Sequence, residues 1–480
     1  MVPLIFLSFR FGEPSRIPNP SFANIKVRRR RYKRRTRISK TVNEGQNKLE
    51  YDEEVTICEE TAQSSMDVNI EGKRSKRRHL GKVADGLNNE ALSNNRAPPR
   101  YWLVTKNASD EEERPSAIFR ACTYNILSQN CMQIHKYLYR HLSAYIMPWS
   151  ERWNQMSREL SNIDSDIYAL QEVEESIYQD DLHPFFAKGY YDTMFTKKTS
   201  IANPDGCMLA WNKKVFECVQ KVDVSYQRKG NKLMAFPQIG QIVVLRCRRT
   251  QELLVVANTH ILFNMNRGDT KIAQMAILFA HIHEVRSRFQ EKTSLLLMGD
   301  FNMEPRSACY QYVVKAKINV NGRHHSKLAT QDTIEGPQAP VFAEHILPMG
   351  DPVCRDGMFL VIDGKEIHRQ LEPHTFTHPL NLQSVYDHSQ ENSHEVSTYH
   401  ADSGNPDFMF YNVAEKSQEG ENKSIETHNL KLLSRYSLPS HRDLQGLNKW
   451  PNAYVPSDHI PLIANFQLSS DFQLPSFAPK

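Results

Sequence analysis

After Pro115, short apolar runs alternate with polar stretches along the chain. Eight of these runs have the length of a β-strand, and each is predicted to form one. They cover residues 118–127, 167–173, 207–211, 242–247, 253–262, 295–298, 408–411 and 460–466.

Two segments between these runs show helical spacing instead. Apolar residues recur every three or four positions from Ile272 to Phe289, which predicts an amphipathic helix over roughly 270–289. Trp153, Met156 and Leu160 repeat this pattern further upstream. Many short strands with a few helices between them predict an α+β fold, in which two sheets form a sandwich covered by helices.

The rest of the chain is polar and irregular. Residues 1–100 are rich in charge, Asn and Ser, and are predicted to form a basic, mostly disordered tail. Residues 101–470 are predicted to be one folded domain with loop insertions near 320–375 and 412–450. A C-terminal tail over 471–480 completes the prediction.

The net charge of +5 is distributed unevenly along the 480 residues. Residues 1–100 hold 21 Lys or Arg against 12 Asp or Glu, whereas residues 101–480 hold 39 against 43. The basic blocks at 28–37 and 73–78 are typical of nuclear localisation or RNA-contact segments, and a solvated charge run is the alternative interpretation.

Cysteine and histidine spacing argues against a zinc module. The eight cysteines include no C-x-x-C pair and no histidine at zinc-finger spacing. Five histidines crowd one polar stretch, and their irregular spacing predicts solvated loop residues rather than metal ligands. They are His374, His378, His388, His394 and His400.

The chain shows no secretion signal and no run of 18 apolar residues. We therefore expect an intracellular protein of the nucleus or cytoplasm that has no membrane association. Residues 1–42 are rich in arginine and contain one acid, Glu13, a composition that also matches a mitochondrial transit peptide.

Candidate chemistry lies at the ends of the predicted strands. Asp300 and Asn302 stand two residues apart after the run 295–298, so strand alternation puts both side chains on one face. Asp458 and His459 precede the run 460–466. Carboxylates and an imidazole at strand ends are suited to metal-assisted attack on phosphate. Further strand-end fragments are Asn125, Gln171-Glu172, Thr259-His260 and Asp407.

In this chain order, the fragments resemble the motifs of the endonuclease/exonuclease/phosphatase superfamily over residues 116–467. That resemblance implies a two-sheet α/β sandwich of the DNase-I-like type. Pro204-Asp205-Gly206-Cys207 and the segment 264–274 are similar to the deadenylase and nocturnin group, and most of all to the angel proteins. One departure is Pro406-Asp407-Phe408-Met409, where relatives commonly have Val-Asp-Tyr-Ile.

The resemblance implies five catalytic residues. Asp300 and Asn302 would orient the attacking water, with Asp300 as the proton acceptor. His459, paired with Asp407, would activate water or steady the phosphate. His260 would donate to a non-bridging phosphoryl oxygen. A structural alternative for Asp300 and Asn302 is an Asx-type turn after the strand.

Metal and substrate residues are implied in the same way. Glu172 is the expected first ligand of Mg²⁺, helped by Asn125, and Mn²⁺ is the alternative ion. Asp458 is expected to bind a second metal ion or to orient its neighbours, and a loop cap is its structural alternative. Asn125 has its own alternative, as an amide that satisfies backbone groups. The implied substrate contacts are Asn264, Arg267, Lys271 and Gln274, of which Lys271 and Gln274 also fit ordinary helix-surface positions.

The function implied is a Mg²⁺-dependent RNA phosphohydrolase that hydrolyses 2′,3′-cyclic phosphate at RNA 3′ ends. A 3′-to-5′ exoribonuclease or poly(A) deadenylase is the alternative within the same chemistry. An RNA-binding, translation-associated adaptor with weak catalysis is the alternative from another class, and a lipid or inositol phosphatase is less favoured. The implied partners are RNA and translation or RNA-processing proteins, and the chain is expected to be a monomer.

Overall fold

The computed structural model describes twelve ranges of the chain, and all of them lie in one compact unit, Arg77–Lys480. They are residues 96–105, 115–142, 148–200, 204–228, 230–289, 293–321, 323–331, 361–362, 365–366, 375–388, 394–413 and 429–470. Three predicted segments lie wholly or largely outside the described residues. They are the tail over 1–100, of which residues 1–95 are not described, the tail over 471–480, and most of the insertion over 320–375.

The strands supply two large sheets and three short pairs. In chain order they are β1 (Trp102–Val104), β2 (Ser116–Asn125), β3 (Ile167–Glu174), β4 (Tyr191–Lys197), β5 (Asp205–Asn212), β6 (Phe216–Ser225), β7 (Ile239–Cys247), β8 (Leu253–His260), β9 (Thr293–Asp300), β10 (Lys317–Asn319), β11 (Val361–Ile362), β12 (Lys365–Glu366), β13 (Thr375–Thr377), β14 (Leu382–Ser384), β15 (Thr398–Tyr399), β16 (Ser403–Gly404), β17 (Asp407–Asn412), β18 (Leu430–Tyr436) and β19 (Leu462–Ser469).

The first large sheet has seven strands in the order β1-β18-β19-β2-β3-β5-β4, and the second has six in the order β14-β17-β9-β8-β7-β6. Each sheet contains one parallel pair at its centre, β2 with β3 and β8 with β9, and its other pairs are antiparallel.

Helices cover the outer faces of the sheets. They are α1 (Gln129–Ile134), α2 (Trp149–Ile163), α3 (Glu175–Ile177), α4 (His183–Lys188), α5 (Gly268–Ser287) and α6 (Ala308–Lys315), with a π-helical turn over Tyr178–Leu182 and 3₁₀ turns over Lys136–Tyr139 and His325–Lys327. In the part of the chain that the structure describes, none of the helices has the length and apolar character needed to cross a membrane.

Apolar side chains fill three layers. Strand alternation sends Leu254, Val256 and Met298 into the core between the two sheets, where they meet residues of the first sheet such as Phe119 and Leu209. The alternate positions of β8 and β9 pack against α5 and α6. The outer face of the first sheet packs against α2, through Met156 and Leu160. Both sheets are therefore covered on both faces, as expected for apolar central strands.

This architecture confirms the predicted α+β sandwich of the DNase-I-like type. All eight predicted strands and both predicted helices are present, with shifts of a few residues at their ends. Several elements were not predicted, and one of them, β18, lies within the expected insertion 412–450. The other elements that were not predicted are β1, β4, β6, the short strands β10 to β16, and the helices α1, α3, α4 and α6.

The prediction of solvated loop histidines is wrong for two of the five. His378 and His388 are buried. His378 packs against the rings of Phe279 and Tyr312, and His388 packs against Tyr310 and other aromatic rings. Burial lowers the pKa of each imidazole to about 4, so both are neutral core residues. His374 lies outside the described residues.

Candidate active site

The sheet topology brings the predicted site residues to one edge of the sandwich. Asn125 and Glu172 lie at the ends of the parallel strands β2 and β3, while His260 and Asp300 end β8 and β9. Since β17 and β19 are antiparallel to their neighbours, they begin where those strands end. Asp407 consequently stands directly opposite Asp300 in the sheet register. The residues just before β19, Asp458 and His459, reach the same edge.

Asn125 connects the two sheets at this edge. Its amide nitrogen donates to Asp300 Oδ2 at 3.0 Å and to Glu172 Oε1 at 3.1 Å, while its amide oxygen accepts from the backbone N–H of Leu127 at 3.0 Å. The second oxygen of Glu172 accepts from the backbone N–H of Ser128 at 2.9 Å. Asn125 thus bridges two carboxylates and also satisfies a backbone group, as its structural alternative proposed.

His459 and Asp407 form a close pair. His459 Nδ1 lies 2.7 Å from Asp407 Oδ2, and the same oxygen accepts from Ser397 Oγ at 2.6 Å. On the other side of the ring, Nε2 lies 3.9 Å from Asp458 Oδ1. Burial alone lowers the pKa of His459, but Asp407 and Asp458 outweigh that effect and hold the pKa well above its usual value. These carboxylates therefore favour the charged imidazolium form of His459.

The surroundings of His260 favour its neutral form instead. Its Nε2 lies 3.7 Å from Asp300 Oδ2, and its Nδ1 is buried without a hydrogen-bond partner among the described residues. Burial, with the positive charges of Lys198 and His459, holds the pKa of His260 well below its usual value. A neutral imidazole makes no ion pair with Asp300, and it can donate one N–H to a ligand.

Asp300 is buried between these groups. Burial, together with the nearby Asp407, raises its pKa to about 7, while His459 and the amide of Asn125 oppose that rise. Its Oδ1 accepts from the backbone N–H of Asn302 at 2.9 Å, which is the predicted Asx-type bond. Asp300 can therefore form the Asx-type turn and still have the catalytic role that the resemblance implies.

Backbone conformation at three positions explains part of the local sequence. Gly299 has φ +146°, and a Cβ there would lie 2.1 Å from the carbonyl oxygen of Thr259 on the neighbouring strand. Asn302 has φ +48°, a left-handed value that Asn tolerates. Glu172 has φ +58° at a bulge, where the pairing of β3 with β5 shifts between Gln171 and Val173. A bulge re-aims a side chain at the end of a strand.

Four supporting residues were missed by sequence reasoning. Tyr139 donates to Asp458 Oδ2 at 2.7 Å, and Ser397 donates to Asp407. Lys198 forms a buried ion pair with Asp205, at 2.5 Å, close to Glu172. Arg152 is buried in α2 and donates to backbone carbonyls. None of the four lies in a recognisable sequence motif. Only Lys198 could have been suspected from sequence, because it lies seven positions before Asp205 of the motif 204–207.

The predicted substrate contacts fall into two groups. Asn264 is exposed, and Arg267 is half-buried beside Asp269, at 3.1 Å, and the ring of Phe236. Lys271 and Gln274 are fully buried on α5, so neither lies at a helix-surface position. They bond to the backbone of the loop that follows His260, because the first turns of α5 pack directly behind that loop.

The carboxylates around Glu172 are suited to binding a hard divalent cation. Burial, and then the neighbouring carboxylates of Asp205 and Asp458, raise the pKa of Glu172. A bound cation would offset this repulsion, and carboxylate oxygens are the ligands that Mg²⁺ and Mn²⁺ favour. Asp300, Asp407 and His459 also have one ligand atom each within 4.8 Å of one another. The 2.7 Å hydrogen bond within that second group makes it better suited to proton chemistry than to metal binding.

Sequence comparison with known proteins finds angel homologs from several animals. Protein angel homolog 2 of Danio rerio is 32% identical over 368 residues, which are 73% of this chain and 64% of that protein. Protein angel homolog 2 of Bos taurus is 28% identical over 442 residues, covering 84% and 80%. The chain thus spans somewhat less than two thirds of the zebrafish relative. No family model matches the chain.

A solved structure agrees with these sequences. A crystal structure of ANGEL2, described as a 2′,3′-cyclic phosphatase and bound to adenosine-2′,3′-vanadate, superposes with a TM-score of 0.65 at 28% identity. The match covers 78% of this chain and 99% of that one. These matches confirm the predicted resemblance to the endonuclease/exonuclease/phosphatase superfamily, and within it to the angel proteins.

Proposed function

We propose that this chain is a divalent-metal-dependent phosphoesterase that hydrolyses 2′,3′-cyclic phosphate at the 3′ ends of RNA. The observation that carries the proposal is the convergence of Asp300, His260 and the Asp407–His459 pair at one sheet edge. The preference for a cyclic phosphate is supported by the similarity to ANGEL2, which has that activity and was crystallised with adenosine-2′,3′-vanadate.

The side chains suit a displacement at phosphorus. Water attacks the phosphorus atom and loses a proton, for which the buried carboxylate of Asp300 is the best-placed acceptor. The bond from phosphorus to one ribose oxygen breaks, and that oxygen takes a proton from solvent. The product is a phosphomonoester, and attack by a second water in the same manner releases orthophosphate and leaves a 2′,3′-diol.

Two imidazoles, one charged and one neutral, interact with the phosphoryl oxygens in this proposal. The charged His459 stabilises negative charge that develops on them, and Asp407 fixes its orientation through the 2.7 Å bond to Nδ1. The neutral His260 donates an N–H to a non-bridging oxygen. Glu172, with Asp458, would hold a divalent cation, which when bound would supply Lewis-acid stabilisation of phosphoryl charge. We favour Mg²⁺ as that ion, with Mn²⁺ as the alternative.

The test compares two RNA 3′ ends on one purified protein. One RNA ends in a 2′,3′-cyclic phosphate, and the other carries an oligoadenylate tail with a 3′-hydroxyl. We expect release of phosphate from the first in the presence of Mg²⁺, loss of that release with EDTA, and an unchanged length of the second. Shortening of the tailed RNA without change in the cyclic phosphate would replace our preference by the exoribonuclease alternative.

Variants separate catalysis from RNA binding. His459→Ala should lower the rate on cyclic phosphate by about 10²-fold or more, since positioned acid–base and charged groups contribute at that level. His441→Ala removes an imidazole that lies on the surface and contacts Ser403, so it serves as the matched control. Equal activity of wild type and His459→Ala would favour the adaptor hypothesis, in which the site is vestigial.

A further inference from the structure

Lys271 is a buried cation that the proposed reaction does not use. It lies in the first turn of α5 and has 0% of its surface exposed. Its Nζ donates to the backbone carbonyl oxygens of Leu262 and Asn302, the latter at 2.6 Å, and approaches that of Phe263 at 3.3 Å. An ammonium group has three donors and no acceptor, so three carbonyl acceptors match its full hydrogen-bonding capacity.

These carbonyls belong to two loops that leave the active site. Leu262 and Phe263 follow His260 at the end of β8, while Asn302 follows Asp300 at the end of β9. The two strands are parallel neighbours, and His260 pairs with Asp300 in the register. Lys271 therefore connects, from behind, the segments that carry the imidazole and the carboxylate 3.7 Å apart.

The ammonium of Lys271 is costly to bury. Burial lowers its pKa to about 8, and the groups facing it, Cys309 from α6 and Asp300 from β9, only partly oppose that effect. Its positive charge also contributes to the lowered pKa of the neighbouring His260. Gln274, one turn further along α5, accepts from the backbone N–H of Leu262 at 3.0 Å and bonds the same loop without any charge. A neutral side chain can thus hydrogen-bond to this loop. Because bonding to one loop does not require a charge, we infer that the buried ammonium of Lys271 has a further role.

We propose that Lys271 is a positioning residue for phosphoester hydrolysis. Its ammonium clamps the loop after His260 to the loop after Asp300 and so fixes the spacing of the two catalytic groups. The inference rests on the proposed function of the same site. It replaces direct substrate contact as the role of Lys271.

The main test is Lys271→Met, which keeps the length of the side chain and removes the charge. We expect kcat to fall by about 10- to 100-fold with little change in KM, because a displacement of about 1 Å in catalytic geometry has effects of that size. Two effects on stability oppose each other, since the variant no longer buries a charge but leaves three carbonyl oxygens without their donor. The kcat values are therefore compared at a temperature at which both proteins are fully folded. Lys188→Met, at an exposed lysine of α4, is the matched control and should match wild type.

The pH dependence distinguishes clamping from a merely structural role. We expect the ratio of wild-type to Lys271→Met kcat to be constant from pH 6 to 7.5 and to shrink above about pH 8, where wild type loses its own ammonium. Titrating groups remote from Lys271 are common to both proteins and cancel in the ratio. His260 stays neutral in both, because burial, Lys198 and His459 still hold its pKa down. A ratio independent of pH, or a loss of activity that follows a loss of folded protein, would overturn the proposal.

A second measurement does not need turnover. The ring resonance of His260, assigned by its absence in His260→Gln, should shift in Lys271→Met and stay unchanged in Lys188→Met. An unshifted His260 resonance would overturn the clamp even if the chain hydrolyses neither RNA. A wild-type protein that is inactive on both RNAs would defeat the proposed function, and this outcome is visible before any Lys271 variant is compared.

Discussion

The two imidazoles of the site illustrate how environment assigns roles to identical side chains. His459 faces Asp407 and Asp458 and is held as a cation, whereas His260 faces Lys198 and Lys271 and is held neutral. Both are buried, so the neighbouring charges decide the difference. Paired groups whose pKa values are driven apart are typical of acid–base and electrostatic division of labour in enzymes.

This charge state leads to a prediction for stability against pH. The folded-state pKa of His459 is raised, so its charged form contributes stability that is fully present below about pH 6.5, the usual histidine pKa, and is lost as pH rises through the higher folded value. His459→Gln should therefore lower the melting temperature more at pH 6 than at pH 9. Thermal unfolding in EDTA across this range is the measurement, with His441→Gln as control. A larger loss at pH 9 would contradict the assignment.

Tyr139 gives a second prediction at the residue scale. Its hydroxyl donates to Asp458 Oδ2 at 2.7 Å, so it orients a candidate metal ligand. Tyr139→Phe should weaken Mg²⁺ or Mn²⁺ binding by roughly 10-fold, as is usual when a hydrogen bond to a ligand is removed. Calorimetric titration of the metal is the measurement. Tyr137→Phe, two positions away at an exposed tyrosine, should leave metal affinity unchanged, and equal affinities in all three proteins would show that Tyr139 plays no part in metal binding.

At the element scale, α2 joins two parts of the site through one side chain. Arg152 is 2% exposed and donates to the carbonyl oxygens of Ile126 and Leu127, which follow β2, and to that of Pro456 at 2.9 Å, just before Asp458. The loops beside Asn125 and Asp458 are thereby held at one place on α2.

Replacing this arginine should destabilise the fold. Arg152→Met leaves three buried carbonyls without their donor, and an orphaned buried acceptor costs about 1 to 3 kcal/mol, so we expect a loss of roughly 3 kcal/mol. Arg158→Met, at an exposed position of the same helix, should change stability by less than about 0.5 kcal/mol. Urea unfolding measures both. Equal stability of Arg152→Met and wild type would mean that water replaces the guanidinium.

The elements that could be predicted from sequence are those whose burial is continuous. The central strands β8 and β9 are buried at every position, which produces long apolar runs. β6 has exposed residues at alternate positions, among them Glu217, Lys221 and Asp223, and these charges interrupt its apolar signal. β18 likewise contains Lys431 and Arg435. Its place in the sheet depends on pairing with β19, some 30 residues later, which local pattern does not encode.

In the candidate site, too, some residues could be predicted from sequence and others could not. Motif spacing placed Asp300, His459 and Glu172 at strand ends, and the structure brings them to one edge. The roles of Arg152 and Lys271 depend on backbone carbonyls that are distant in sequence. Every residue has a backbone carbonyl, so the sequence does not show which carbonyl will accept a hydrogen bond. These contacts are therefore visible only in the folded chain.

At the scale of the whole molecule, the site depends on how the two sheets are joined. Beneath it, Gln171 of β3 donates to Asn258 of β8 at 2.8 Å, and Asn258 in turn donates to Gln241 and to carbonyl oxygens of the first sheet. This buried amide network connects the sheets below the bridging residue Asn125. Within it, Gln171 Oε1 has no hydrogen-bond partner among the described residues. A buried hydrogen-bonded network fixes the relative position of packed layers more specifically than apolar contacts do.

The uneven charge of the chain leads to a prediction about RNA binding. Residues 1–100 carry an excess of nine basic side chains, whereas the remainder carries an excess of acids, so affinity for the phosphate backbone should come mainly from the N-terminal part. Each phosphate neutralised on a single strand contributes about 0.7 to the slope of log affinity against log salt concentration. Removing residues 1–95, which spares Arg100 and β1, should therefore weaken RNA binding and flatten that slope.

The same truncation should leave catalysis on short substrates intact. A dinucleotide ending in a cyclic phosphate offers few backbone phosphates for the basic residues to neutralise, so we expect its kcat to be unchanged. A full-length variant with the basic residues of 28–37 and 73–78 replaced by glutamine separates charge from chain length, and it should reproduce the truncation. An unchanged salt slope in both variants would assign these blocks to localisation, because RNA affinity would then come from the folded domain itself.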